Sequence, residues 1–142
     1  MATLQNHMLI NSLLAWAAAQ LLKTVIYAIM NRRLDFSRIL GDGGMPSGHS
    51  ATVTALAVTA ALEYGLSSSV FAISAVLAIV VMHDAMGVRL EAGKHAKALN
   101  ELLELFSSDL ENEVKMKEFL GHTPLQVFFG AVLGAAVALI IG

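Results

Sequence analysis

The sequence contains no cysteine, which excludes a disulfide framework, a thiolate nucleophile and any cysteine-ligated metal. It has two prolines, Pro46 and Pro124, and no Pro/Gly/Ser-rich linker, so residues 1–142 read as a single membrane-embedded domain. Charge is scarce as well. Asp, Glu, Lys and Arg make up 14% of the residues, against about 25% in soluble domains, while 56% are hydrophobic. A chain so poor in charge and so rich in apolar side chains requires lipid as its solvent. The formal net charge of -2 is too small to attract a polyanion, and no nucleic acid partner is expected.

What the chain has instead is long apolar runs. A bilayer core about 30 Å thick takes roughly 20 apolar residues in helical form. Residues 8–30, 47–64, 68–88 and 123–141 approach that length. The expected fold class is therefore all-α, an integral membrane bundle of about four transmembrane helices. The N-terminal residues lack the positive region of a signal peptide, and the first span contains Gln20 and Lys23, so that span is expected to be retained. Residues 91–120 form the only long polar stretch. There Leu99, Leu102, Leu103, Phe106, Leu110 and Val114 recur at helical spacing between charges, which predicts an amphipathic cytoplasmic helical segment. Ser108 and Glu111 fit a capping box that starts a second helix after a break at Ser107. The segment reads either as a membrane-surface cover or as a solvated connector with one buried face.

The charges also give an orientation. Every Lys and Arg except Lys23 lies in residues 31–45 or 89–121, two loops on one side of a four-span topology. Basic loops stay cytoplasmic, so the expectation is a multi-pass cell membrane protein with both termini outward.

Two helix starts on the cytoplasmic side carry residues suited to chemistry. In Gly43-Gly44-Met45-Pro46-Ser47-Gly48-His49-Ser50, Pro46 suits a first helical turn, and the free N–H groups and dipole of a helix N-terminus favour phosphate. Ser47 adds a hydroxyl, Gly48 lets an anion approach the backbone, and His49 lies within reach. The bland alternative is a plain Gly/Pro helix start with an interfacial histidine. In Gly121-His122-Thr123-Pro124-Leu125-Gln126, His122 and Gln126 are four apart and share a helical face, so the amide can hold one imidazole nitrogen and aim the other outward, as a nucleophile needs. Lys23, Gln20, Asp84 and Arg89 place polar groups near membrane depth, where they mark function unless they snorkel or pair structurally.

Pro46-Ser47-Gly48-His49 and His122-Thr123-Pro124, followed by Val127 and Gly130, resemble the central and last signatures of the type 2 phosphatidic acid phosphatase and vanadium haloperoxidase superfamily. Asp84 to Arg89, with Gly93 and Leu99-Asn100, resembles its small divergent membrane branch. The resemblance implies that His122 attacks phosphorus to form a phosphohistidine and that His49 protonates the departing alkoxide. It further implies that Lys23 and an arginine hold the phosphoryl oxygens, with Ser47 and Gly48 assisting. Three positions depart from the pattern. Met30 stands where an arginine usually follows the lysine by seven residues. Met116, flanked by Lys115 and Lys117, replaces the usual arginine six before the nucleophile, and the arginine role passes to Arg89. Gln126 replaces a carboxylate and orients the imidazole without stabilising its charged form, a part Asp84 is the candidate to take.

The expected activity is hydrolysis of a lipid phosphomonoester, with phosphatidylglycerophosphate or phosphatidic acid as the substrate type on a cytoplasmic site. The alternatives are a non-enzymatic protein that binds or senses an anionic lipid phosphate, and a polyprenyl pyrophosphate phosphatase. No cofactor is expected: Asp84, Glu91 and His95 are close in sequence, but no metal-ligand spacing such as HExxH supports a divalent ion such as Mg. Expected partners are the bilayer and the lipid substrate. Gly130 and Gly134 form a small-xxx-small face suited to packing within a protomer or in a homodimer.

Overall fold

The computed structural model describes residues 6–32, 44–106, 116 and 121–142. These form α1 (His7–Asn31), α2 (Gly48–Tyr64), α3 (Ser69–Met86), α4 (Val88–Phe106) and α5 (Pro124–Ile141), with no strand among the described residues. Each span begins where the sequence supplies a cap. Asn6 Oδ1 accepts from Leu9 N–H, Ser47 Oγ from Ser50 N–H, Ser68 Oγ from Phe71 N–H and Thr123 Oγ1 from Gln126 N–H. Gly65, at φ 80°, supplies the positive backbone angle of the short turn between α2 and α3.

The packing is inside-out relative to a soluble bundle. The core is Ala15, Ala19, Ala51, Ala55 and Ala138, all 0% exposed, whereas Leu21, Ile29, Ile73, Ile79, Phe128 and Ile140 point outward. Lipid tails are as apolar as leucine, so burying large side chains gains little there, and small residues at the seams let backbones meet. Gly130 faces Ser47 O and Gly134 faces Ala51 O so closely that an added Cβ at either would collide with the α2 backbone. The small-xxx-small face is thus used within the protomer, between α5 and α2. Asn11 Nδ2 donates to Thr59 Oγ1 across 3.0 Å, satisfying a buried polar pair between α1 and α2.

Three helical stretches, His7–Asn31, Ser69–Leu103 and Pro124–Ile141, are long and apolar enough to cross a membrane. The second expected span, α2, has 17 residues and rises about 26 Å, a little less than the core thickness of about 30 Å. It sits at the centre, against α1, α3 and α5, and every residue from Gly48 to Ala61 is buried or half-buried. Its neighbours rather than lipid solvate it, which explains why it tolerates Ser50, Thr52, Thr54 and Thr59. The Ser69–Leu103 stretch runs beyond residue 88, the expected end of the third span, because α4 follows α3 directly after Gly87. On α4 the buried positions are Gly93, Ala96 and Asn100, while Leu99, Leu102 and Leu103 are exposed. Asn100 grips the Met116 backbone at both ends, Nδ2 donating to its carbonyl and Oδ1 accepting its N–H, each at 3.0 Å. Ser107, Ser108, Leu110, Glu111, Val114, Lys115 and Lys117 lie outside the described residues.

Candidate functional site

The α2 and α5 N-termini open side by side because Ser47 and Gln126 tie them together: Ser47 N–H donates to Gln126 O at 3.0 Å. The two histidines consequently meet, although they stand 73 positions apart. His49 Nδ1 lies 3.5 Å from His122 Nε2, with ring centroids 5.7 Å apart and planes at 62°. His122 is 2% exposed and His49 half-buried. The backbone of His122 is anchored separately, its N–H donating to Ala85 O on α3 at 2.8 Å. Gly121, at φ 88°, lets the chain pass directly over the Arg89–Leu90 backbone, where a side chain has no room.

Gln126 settles the proton arrangement of His122. Its Oε1 accepts the Thr123 N–H at 3.0 Å within a capping box, so that end of the amide is an acceptor. The same oxygen lies 3.3 Å from His122 Nδ1, which must therefore be the donor. In the neutral ring the proton sits on Nδ1, and the lone pair of Nε2 is aimed at His49. His49 Nδ1, facing that lone pair, is then the donor of the pair. The orientation expected from the four-residue spacing is present, and Thr123, whose N–H fixes the amide, is a participant that the spacing did not single out.

The other expected residues divide into two groups. Lys23 is 6% exposed, its stem lying on Gly44, where a Cβ would come within 3.2 Å of Lys23 Cγ. It lines a cavity of about 380 Å³ with Tyr27, Asn31, Thr123 and Gln126. Gln20, one turn earlier, lies against Gly48, and its buried Oε1 has no hydrogen-bond partner among the described residues. Gly48 itself packs under Trp16 and Gln20, and Ser47 is fully buried, its Oγ accepting from both Ser50 N and Ser50 Oγ. Ser47 thus has a capping duty that occupies much of its bonding capacity.

Asp84 and Arg89 form the second group. Arg89 Nε donates to Asp84 Oδ2 at 2.9 Å, and both side chains are nearly half exposed at the α3–α4 junction. The structural pairing weighed for them is present. They flank the backbone that receives His122 and Gly121. Glu91 pairs with Lys94, and among the described residues no three His, Cys, Asp or Glu side chains gather as metal ligands. Tyr27 and Asn31 were not singled out in the sequence; their spacing of four and eight from Lys23 on one helical face was the available signal.

Comparison with known proteins fits this arrangement. Residues 4–137 match the Divergent PAP2 family. An uncharacterized membrane protein of Bacillus subtilis (strain 168), YuiD, is 43% identical over 153 aligned positions, covering 99% of this chain and 97% of that protein. No solved structure matches the chain. With the family's extent covering nearly every described residue, from the start of α1 to the last turn of α5, the chain is a membrane protein that belongs to the Divergent PAP2 family.

Proposed function

We propose that this protein hydrolyses a phosphomonoester on a membrane lipid of the phosphatidic acid or phosphatidylglycerophosphate type, through a phosphohistidine on His122. The observation that carries the reading is the facing pair: a deprotonated His122 Nε2 opposite a proton-bearing His49 Nδ1. His122 Nε2 attacks phosphorus, an N–P bond forms, the P–O ester bond breaks and His49, entering the step as the imidazolium, gives its Nδ1 proton to the departing alkoxide and becomes neutral. Water then attacks the phosphohistidine, His49 takes a proton from it, and phosphate leaves with Nε2 restored. Lys23 and the Gly48 backbone N–H supply positive potential for the phosphoryl oxygens, and Gln20 Oε1 offers an acceptor to a protonated one. The imidazoles touch, so they part as a phosphoryl group enters between them. Arg89 joins that cradle only by exchanging Asp84 for phosphate.

The positive-inside tendency of the basic loops supports a site on the cytoplasmic side, with both termini outward. A protease-accessible tag after Gly142 checks this, since a tag cleaved only from the cytoplasm reverses the topology. The activity is tested by phosphate release from a panel of lipid phosphates with purified protein, alongside acid-labile, base-stable phosphate retained on His122. Absence of both sinks the hydrolase. One observation favours a second reading, a binder or sensor of anionic lipid phosphate: the partner of His122 is an amide, and the substitute carboxylate expected from the sequence, Asp84, is engaged by Arg89. Lipid phosphate binding without release on any panel member supports that reading.

A further inference from the structure

Two cavities meet along the seam between α1 and α5. The polar one, described above, contains Lys23, Tyr27, Asn31, Thr123 and Gln126. Beside it runs an apolar groove of about 290 Å³ whose walls include Leu22, Phe129, Val132 and Ala136, roofed by Met45 and Pro46. Ile26 and Met45 line both, so the polar cavity and the groove are direct neighbours along the seam. We infer that this seam seats a single phospholipid, its phosphate toward Lys23 and one acyl chain in the groove between α1 and α5. The inference rests on the reading of Lys23 as a phosphate-holding residue.

Size and charge choose this occupant. One turn of a helix about 10–12 Å across takes up more than the groove's volume of about 290 Å³, so a helix of a second copy does not fit within it, whereas an extended acyl chain does. A nearly buried ammonium at one end of an apolar slot matches a molecule that joins an anion to a hydrocarbon chain. An acyl chain gains little by leaving its lipid neighbours, so the groove holds it by shape, and selectivity must come from the phosphate at Lys23. The surface of α3 supplies the contrast. Ile73, Val76 and Val80 line a larger apolar depression, about 490 Å³, with no polar residue in its lining, and any lipid tail can cover it.

The test is photolabelling of the full-length protein in phosphatidylcholine vesicles carrying a trace of phosphatidic acid with a diazirine on one acyl chain. Label on Leu22, Phe129 and Val132 should exceed label on Ile73, Val76 and Val80 by about tenfold, and Lys23→Ala should remove most of that preference. Ala136→Trp and, independently, Val132→Trp should clear the groove while α3 labelling persists, which reports an intact bundle. Even labelling of both faces, a preference indifferent to Lys23→Ala, or displacement by inorganic phosphate alone overturns the inference. Hydrolysis is read separately on the same vesicles. Groove labelling without phosphate release keeps the lipid seat and removes the hydrolase; release with even labelling does the opposite.

Discussion

Histidines stand at both ends of this bundle in opposite company. At one end His7 Nδ1 lies 3.4 Å from the Glu63 carboxylate, and both side chains are substantially exposed. At the other, His122 is buried, its Nδ1 facing an amide and its Nε2 facing a second imidazole. A carboxylate favours the charged imidazolium; an amide oxygen orders the proton without adding charge. The difference teaches what the site end is built for. His122 is held in one tautomer, with Nε2 aimed at His49, in a buried place, while the His7 pair is a screened surface contact.

Experiments that break this contrast are expected to rank as follows. His122→Ala should lower phosphate release by about 10⁴-fold or more, and His49→Ala by about 10²–10⁴-fold, with lipid binding kept. Unchanged release in His122→Ala removes the nucleophile. Gly134→Leu forces a side chain into the α2 backbone at Ala51, and thermal unfolding in detergent should register a loss of about 1–3 kcal/mol or more. Gln126→Leu leaves Nδ1 of His122 without its acceptor and should slow turnover about tenfold to a hundredfold, chiefly in kcat. Gln126→Glu makes the site end resemble the His7–Glu63 end; release should rise, by up to about tenfold, and its pH profile should shift upward on the limb where His122 must be neutral. Thr123→Ala removes a cap worth about 1 kcal/mol, seen as lower stability with a smaller change in rate. Glu63→Gln should change stability by less than about 1 kcal/mol and leave turnover alone.

The helices were legible because their signals are local. Expected spans at 8–30, 68–88 and 123–141 fall within two residues of His7–Asn31, Ser69–Met86 and Pro124–Ile141, since a cap or proline marks each start. The convergence of His49 and His122 followed from two helix starts on one side of a topology. Less legible were the contacts that need a partner from another element. Asn100, noted in the sequence only as part of a motif, grips Met116; Asp84 and Arg89 find each other across the α3–α4 junction; Tyr27 becomes a cavity wall only once α5 is beside α1. The centrality of α2 also escaped the sequence, because hydropathy records how apolar a segment is and not whether lipid or protein surrounds it.

The glycine contacts of α5 carry one more implication. Where Gly130 and Gly134 meet Ser47 and Ala51, main chain rests on main chain, so no rotamer change can adjust the separation of the elements that hold the two imidazoles. That half of the site behaves as a fixed jaw. On the proposed lipid phosphate reading, room for a bulky headgroup has to come from the facing half, where Lys23 leans on Gly44 with a flexible stem. If that reading holds, substitutions that change which lipid phosphate is accepted should fall on α1 around Lys23 and not on the α2–α5 seam.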